Sequence, residues 1–320
     1  DNSVWERTNS GSGATQSNWT EYSSGAGTPK SLLSITWNGS TNNDWNDSGN
    51  WDEIIPGTFQ NVIIPNNGTV TIASTKATGS CNDITLQSNS SGQTGSLITN
   101  GNLTVNGTAT VQQYIEGYSS SGSDGWHLLS SPVGAFTIND SDFDPGSNDD
   151  FYRWEETTNT WMNHKAGDPT EMNPGIGYLV AYENNSTKEF TGTLNTGDQS
   201  VNGLTYNSAE GNGWNLVGNP FSSAIQWDNG DWSLGDFQAT AKIRDESAGN
   251  YIDITSDGTN IIPINQGFFV QATSDNVSLT IPASAQTHSS QGFYKNDKNS
   301  EGFLKMKVAS NSNSFYDIQT

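Results

Sequence analysis

The chain has 320 residues and a formal net charge of −22, with only 12 lysines and arginines, which excludes non-specific nucleic-acid binding because phosphate contacts require basic clusters. Hydrophobic residues make up 31% of the chain and aromatic residues 10%, a balance typical of many short strands around thin, aromatic-rich cores. No apolar run is long enough for membrane insertion, and the single cysteine, Cys81, excludes an intrachain disulfide and a cysteine-rich metal site.

Residues 1–33 contain short candidate strands around Trp5 and Trp19 within a Ser/Gly-rich stretch. They hold too little apolar surface for an independent domain, so we predict the end of a preceding β domain or a linker. Asp1 is not an initiator methionine, and no signal segment precedes it. We therefore expect the chain to be processed or excised from a longer protein.

Residues 34–116 follow a different rhythm, in which runs of three to five residues alternate Val, Ile or Leu with Thr or Asn. Asn61–Ile64 and Asn102–Val105 are examples. Strands this short cannot each bury a face alone, but stacked rungs of a β-solenoid share one core. We predict a short β-solenoid-like module here, with an antiparallel meander as the alternative.

Residues 117–207 and 208–285 are predicted to be two diverged copies of one β module. The segment GWHLLSSP at 125–132 returns as GWNLVGNP at 213–220, and PGIGYLV at 174–180 is answered by NQGFFV at 265–270. What is repeated is scaffold: aromatics, turn glycines and strand-ending prolines. The repeat therefore predicts architecture rather than a reaction.

Weaker echoes lie between these landmarks. Residues 152–154 are matched with 241–243, and residues 159–161 with 249–251. We expect either one sandwich built from two related halves or two small packed ones. Equivalent buried sites are predicted for Trp126 and Trp214, and equivalent turns for Gly177 and Gly267.

The end of the chain is predicted to contain a linker at 286–302 and the start of a further β domain at 303–320, where Phe303–Val308 alternates as a strand. The fold class that results is all-β, with a short β-solenoid-like module followed by a duplicated β-sandwich module.

Catalytic motifs are missing from the sequence. There is no Gly-x-Ser-x-Gly elbow and no zinc-ligand spacing, and the histidines, His127, His164 and His288, are far apart. Glu155 and Glu156 are adjacent carboxylates, but neighbouring residues on a strand point to opposite faces and cannot flank one glycosidic bond. We therefore expect no enzyme activity in this chain.

Trp-rich turns are the candidates for sugar binding, because they combine flat aromatic faces with hydrogen-bonding Asn and Asp. The site predicted from this pattern consists of Trp227, Asp228, Asp231 and Trp232. Trp37, Trp45 and Trp51 show the same pattern, but there we favour capping of the open first rung of the solenoid. For Trp227 and Trp232 the two interpretations stay open.

An acidic loop at 139–150 is the candidate cation site. Asp140, Asp142, Asp144 and Asp150 could supply oxygen ligands to Ca²⁺, and Gly146 permits a tight reversal. The spacing departs from an EF-hand, and the second copy has no comparable cluster. A solvated acidic loop is therefore favoured over a Ca²⁺ cofactor site.

The tryptophan-rich stretch Trp37–Pro56, followed by Asn61–Pro65, is similar to a region common in bacterial surface proteins exported by the type IX secretion system. The repeated pair of segments resembles what often follows it there, and residues 1–33 resemble the end of a lamin-tail-like β domain. In such proteins these modules lie between an N-terminal catalytic or adhesive domain and a C-terminal sorting domain. The resemblance implies a secretion class and says little about activity.

From these observations we expect a non-catalytic spacer and interaction region of a secreted protein at the bacterial outer cell surface. Its partners would be polysaccharide or other cell-surface and secretion components. The alternative is a carbohydrate-binding accessory module of a polysaccharide-degrading enzyme. Inward packing of the Trp227 and Trp232 rings would favour the spacer, whereas coplanar rings on an open face would favour sugar binding.

Overall fold

The computed structural model describes residues 34–294, apart from residues 74, 76–77, 120–124, 246–249 and 258–259, and the backbone of four further strands. These residues form strands, turns and short 3₁₀ helices, and no α-helix occurs among them, so the all-β prediction is confirmed. The 3₁₀ helices span Ser48–Asn50, Glu156–Thr158, His164–Ala166 and Ala283–Ala285. Within the described residues, no helix has the length and apolar character needed to cross a bilayer.

Backbone contacts divide the chain into two compact units, Asp1–Leu33 and Ser34–Thr320. The first unit contains an antiparallel hairpin of β1 (Val4–Arg7) and β2 (Trp19–Tyr22). The remainder of the predicted domain end at 1–33 lies outside the described residues.

The second unit begins with a β-solenoid of about three turns. Its strands are β3 (Ser34–Thr36), β4 (Asn61–Ile64), β5 (Thr69–Thr71), β6 (Gly79–Cys81), β7 (Ile84–Leu86), β8 (Ser96–Ile98), β9 (Leu103–Val105) and β10 (Ala109–Ile115). Strands of successive turns pair in parallel: β3 with β4, β4 with β7, β7 with β10, β5 with β8, and β6 with β9. Hairpin-linked meander strands would pair antiparallel, so the solenoid prediction is confirmed.

The duplicated region follows and pairs antiparallel throughout. Its strands are β11 (His127–Ser130), β12 (Phe136–Thr137), β13 (Asp150–Glu155), β14 (Thr160–Asn163), β15 (Glu171–Met172), β16 (Gly177–Ala181), β17 (Ser186–Gly192), β18 (Gln199–Leu204), β19 (Trp214–Gly218), β20 (Ala224–Gln226), β21 (Ala241–Asp245), β22 (Asn250–Ile254), β23 (Ile261–Ile262), β24 (Gly267–Gln271), β25 (Val277–Ile281) and β26 (Gln286–Thr287).

The two copies share one strand order. The four-stranded sheet β11-β16-β13-β14 of the first copy matches β19-β24-β21-β22 of the second, and the pair β12-β15 matches β20-β23. The antiparallel pair β10-β17 likewise matches β18-β25, so the equivalence between the two copies includes β10, the last solenoid strand. Pairing therefore runs across residues 116 and 117, and the predicted domain boundaries stay a prediction.

Reciprocal contacts relate the copies by an approximate two-fold axis. The Ser130 amide donates to the Asn265 carbonyl, and the equivalent Gly218 amide donates to the Gly175 carbonyl, each at 2.9 Å. Isolated bridges repeat the relation, joining Leu129 to Gln266 and Ile176 to Val217. An interface in which each patch meets its own equivalent is the arrangement of a symmetric dimer, here within one chain.

The landmark residues of the repeat occupy equivalent sites in the two copies. Trp126 directly precedes β11, and Trp214 begins the equivalent strand β19. Both side chains are half-buried, whereas the prediction was that they are buried. Gly177 and Gly267 each open an equivalent strand immediately after a turn.

The register of the weaker echo differs from the sequence comparison. Tyr152 pairs with Leu179, and its equivalent Lys242 pairs with Phe269. Residues 152–154 therefore correspond to 242–244 instead of 241–243, and the predicted match was wrong by one residue. A shift of one residue moves every side chain to the other face of a sheet. The observed register therefore brings different residues to face each other between the copies than the sequence comparison predicted.

Three groups of buried side chains hold the second unit together. One runs from the solenoid into the first copy, and a second lies inside the second copy. A third lies between the two four-stranded sheets and consists of Leu128, Leu179, Leu216 and Phe269. Each copy thus has its own core, and the two copies pack together through a small apolar layer.

The predicted linker at 286–302 packs against the body of the protein over its described part, 286–294. β26 pairs with β20, and the Phe293 amide donates to the Gly92 carbonyl of the solenoid at 3.1 Å. Residues 295–302 lie outside the described residues. In the predicted further domain at 303–320, β27 (Met306–Ala309) and β28 (Phe315–Ile318) form an antiparallel hairpin, of which only the backbone is described.

Candidate functional site

Three tryptophans close the first turn of the solenoid next to its edge strand β3. Trp37, Trp45 and Trp51 are buried, and edge-to-face contacts at centroid distances of 4.9 and 4.8 Å join Trp51 to the other two rings. The Trp51 indole Nε1 donates to the Trp45 carbonyl at 2.8 Å. These rings have no open face for a sugar, and their place beside an edge strand is the one expected of a cap.

The Trp227 and Trp232 rings of the predicted sugar site also pack inward. Trp227 is 0% exposed and Trp232 is 8% exposed, with ring planes inclined at 54°. Their indole nitrogens donate to the backbone carbonyls of Ala239 and Gln226 at 2.8 and 2.9 Å. Because stacking on a sugar requires an accessible ring face, this geometry favours the spacer over sugar binding at Trp227 and Trp232.

The two acids of the predicted sugar site lie on the turn between these rings. Asp228 has a left-handed backbone with φ of 47°, and Asp231 forms a local turn with Asn229. Neither carboxylate lies beside an accessible aromatic face. The four predicted residues therefore form a closed turn in this structure.

The carboxylates of the predicted Ca²⁺ site point to different partners. An Asp142 oxygen accepts the Glu189 amide at 2.7 Å, and an Asp144 oxygen accepts the Asp140 amide at 3.3 Å. Asp150 accepts the Tyr152 hydroxyl at 3.2 Å. Among the described residues, no group of three or more His, Cys, Asp or Glu side chains is placed to hold a metal ion. The carboxylates of Asp142, Asp144 and Asp150 are therefore engaged in separate hydrogen bonds of the fold.

The histidines are engaged within the fold. His127 Nε2 lies 2.9 Å from the Glu116 carbonyl, and His164 is bonded through both ring nitrogens to the Pro169 carbonyl and the Asn139 side chain. His288 bridges two hydroxyls of the solenoid, from Thr71 and Ser96, each at 2.8 Å. Burial lowers the pKa of His288, which favours the neutral ring at pH 7.

A polar cleft of about 380 Å³ lies between the first copy and strand β18. Arg153 is its central cation: Nε and Nη2 donate to the two oxygens of Asp168 at 2.8 and 2.6 Å, and Nη1 donates to Glu155 at 2.8 Å. Hydrogen bonds from Arg153 lower the pKa of Asp168. Burial raises the pKa of Glu155, but hydrogen bonds from Thr157 and Arg153 outweigh it, so that pKa is also lowered. The two ionised carboxylates more than neutralise the single guanidinium, which makes the cleft a structural ion cluster rather than an anion site.

Glu156 directly follows β13 and begins the 3₁₀ helix Glu156–Thr158, and its carboxylate has different partners from that of Glu155. Its carboxylate is buried, and Oε1 accepts the amides of Asn207 and Gly213, each at 2.7 Å. The two adjacent acids therefore act separately, one in the ion cluster and one at the contact between the copies.

An aromatic pocket of about 400 Å³ opens between the two four-stranded sheets. None of the sites predicted from the sequence includes it. It is lined by Trp126, Tyr152, Trp161, Leu179, Arg244 and Tyr251. The signal was available in the repeat, because position 154 of the first copy corresponds to position 244 of the second. The one-residue error in the echo concealed this correspondence.

Residues 92–230 match a family described as "Domain of unknown function (DUF8693)". The matched segment begins in the last turn of the solenoid, includes the first copy, and ends just after β20 of the second copy. No curated protein and no solved structure matches the chain. The chain thus contains a DUF8693 domain at residues 92–230, set within a β-solenoid and a duplicated set of antiparallel sheets.

Proposed function

We propose that this chain is a non-catalytic spacer and interaction region of a secreted bacterial cell-surface protein, exported by the type IX system. The observation that supports it is the junction between the solenoid and the duplicated sheets. A single five-stranded sheet, β17-β10-β7-β4-β3, runs through that junction. A spacer must keep its neighbours at a set separation, and a continuous sheet resists bending better than a flexible linker does.

Buried side chains reinforce the junction. One apolar cluster contains the solenoid residues Ile35 and Cys81 together with Phe190 of the first copy. The second copy is also attached, because the Leu97 amide donates to the Ser222 carbonyl at 2.7 Å and the Ser222 hydroxyl donates to the Leu97 carbonyl at 2.8 Å. The solenoid is therefore joined to both copies by backbone hydrogen bonds and apolar packing.

Export to an oxidising exterior is compatible with the state of the single cysteine. Cys81 is fully buried, and burial together with the nearby Asp83 raises its pKa to about 12. A thiol in that state has almost no reactive thiolate. The fold therefore needs no reducing compartment, which is compatible with the proposed location outside the cell.

The test deletes residues 34–294 from the parent protein or replaces them with an unrelated β-rich spacer of similar size. We expect the purified deletion variant to keep full turnover on a soluble substrate of its neighbouring domain, while less of the protein acts at the surface of intact cells. The unrelated spacer should restore the surface function. Loss of turnover by the purified deletion variant would show that the region contains catalytic residues and would overturn the proposal.

A further inference from the structure

The approximate two-fold axis creates two related clefts between the four-stranded sheets, and they are filled differently. In each cleft, a side chain from the β13 or β21 strand of one copy faces the opposite copy. Trp154 occupies this position in one cleft, and its equivalent in the other cleft is Arg244. Comparison of the two clefts shows how each of these side chains affects the volume of its cleft.

Trp154 fills its cleft. The ring lies 4.9 Å from Trp161 and 6.0 Å from Phe269 by centroid distance, with the planes steeply inclined. Its indole Nε1 donates to the Trp214 carbonyl at 2.7 Å. On the same side, the Lys242 ammonium lies 5.6 Å from the Trp214 ring centroid. Packing and hydrogen bonding together close this cleft.

The cleft with Arg244 remains open and forms the aromatic pocket of about 400 Å³, within the usual range of about 300–1,000 Å³ for ligand sites. Trp126 and Tyr152 form one wall, with ring centroids 5.8 Å apart. Tyr251 is 42% exposed at the opposite wall. Arg244 of β21 pairs with Tyr251 of β22, and both residues line the pocket.

The polar groups of the pocket point to a ligand rich in hydrogen-bond acceptors. Within the described residues, the indole nitrogens of Trp126 and Trp161 donate no hydrogen bond, whereas that of Trp154 donates to a backbone carbonyl. A half-buried indole N–H is an unused donor beside a flat apolar face. Arg244 lines the same cavity.

We propose that the aromatic pocket binds a sugar ring of a polysaccharide. The aromatic faces pack against the C–H face of the ring, while the two indole N–H groups donate to its hydroxyl oxygens. This inference goes beyond the proposed spacer function, because it gives the spacer a ligand and a site distinct from the predicted turn at Trp227.

A sugar fits this pocket better than a peptide does. Peptides commonly bind folded β proteins by adding a strand to an unpaired sheet edge, where backbone hydrogen bonds provide the affinity. The aromatic pocket is instead built from side chains on the inner faces of two sheets. Aromatic stacking with a few fixed donors is the recognition that such a lining supplies.

The test measures affinity electrophoresis of the full chain in gels that contain laminarin, xylan, alginate or soluble chitosan, chosen as neutral, acidic and amino-sugar polymers. We expect retardation by at least one polymer. Arg244→Trp, which reproduces the closed cleft, and Tyr251→Ala should each reduce affinity at least tenfold. Phe59→Ala removes an aromatic ring that is 65% exposed on the solenoid and should leave retardation unchanged.

Thermal melts of each variant accompany the gels, and Tyr251→Ala serves as the decisive variant if Arg244→Trp does not fold. Migration of the wild-type chain unaffected by all four polymers would overturn the sugar proposal and leave the spacer proposal standing. Retardation that persists in Tyr251→Ala would also overturn it. Loss of binding in both pocket variants with unchanged melting temperatures would support it.

Discussion

Glu156 is a carboxylate placed where the two copies of the module meet. Its Oε1 accepts the backbone amides of Asn207 and Gly213, on the segment between β18 and β19, and the residue is 2% exposed. Replacement by alanine would leave both amides without this acceptor in a buried place. Unpaired buried donors cost about 1–3 kcal/mol each, so Glu156→Ala should lower the free energy of unfolding by about 2–6 kcal/mol.

Glutamine is the matched control at this position, because its amide oxygen can still accept the two amides. Glu156→Gln should therefore lose less stability than Glu156→Ala. Urea unfolding followed by tryptophan fluorescence measures both variants. Equal losses in the two would show that side-chain volume, and not the acceptor, decides stability at this site.

Arg153 predicts a pH dependence with a definite sign. It helps to lower the pKa of Asp168 from 3.8 and that of Glu155 from 4.5. Each carboxylate then stabilises the fold above its unfolded pKa, and this contribution is lost as the pH falls through the lower folded value. The wild-type melting temperature should therefore fall more steeply than that of Arg153→Met once the pH drops below about 4.5. Parallel melting-temperature curves for the two proteins would contradict this expectation.

At the scale of elements, the approach of strands β16 and β19 explains a required glycine. A Cβ atom on Gly177 would lie 2.4 Å from the Val217 carbonyl oxygen of the other copy. Backbone cannot move aside as a flexible side chain can, so the two sheets would have to separate. Gly177→Ala should destabilise the protein by about 1–3 kcal/mol, the usual cost of overpacking.

Gly235 supplies the control for this prediction, since a Cβ atom there would meet no heavy atom within 4 Å. Denaturant midpoints of Gly177→Ala and Gly235→Ala should differ clearly, with the latter close to wild type. A neutral Gly177→Ala would mean that the sheets are not in the close contact described.

At the scale of the whole molecule, the shared apolar cluster predicts that the solenoid and the first copy unfold together. Phe190 of β17 is fully buried, and its ring centroid lies 4.4 Å from that of Phe143. It belongs to the same apolar cluster as Cys81 of the solenoid. Phe190→Ala should cost about 3–5 kcal/mol. It should also speed labelling of Cys81 by a thiol reagent, although the thiol lies in a different module.

Phe59→Ala, an exposed change within the solenoid itself, is the control and should leave the labelling rate unchanged. Phe59 lies in the same module as Cys81 and Phe190 lies in another. A faster Cys81 labelling rate in Phe190→Ala alone would therefore show that unfolding of the first copy exposes the solenoid core. Unchanged Cys81 labelling in Phe190→Ala would show that the solenoid unfolds independently of the copies.

The sequence by itself determined the all-β class, the solenoid and the duplication. Runs such as Asn61–Ile64 alternate apolar and polar residues with the period of a strand, and the repeated GW segments mark equivalent strands. These signals are local, since each depends on residues within one strand or turn. That is why they could be interpreted without any knowledge of which strands become neighbours.

Tertiary structure alone decided which aromatic rings are accessible and which acids meet. Trp227 and Tyr251 both have Asn and Asp close by in sequence, yet Trp227 is fully buried and Tyr251 forms part of an open pocket. The pocket is open because Arg244 occupies the position that Trp154 occupies in the first copy. It also depends on the contact of the two sheets about an approximate two-fold axis. Accessibility is a property of non-local packing, and local composition carries no information about which distant strand will cover a ring.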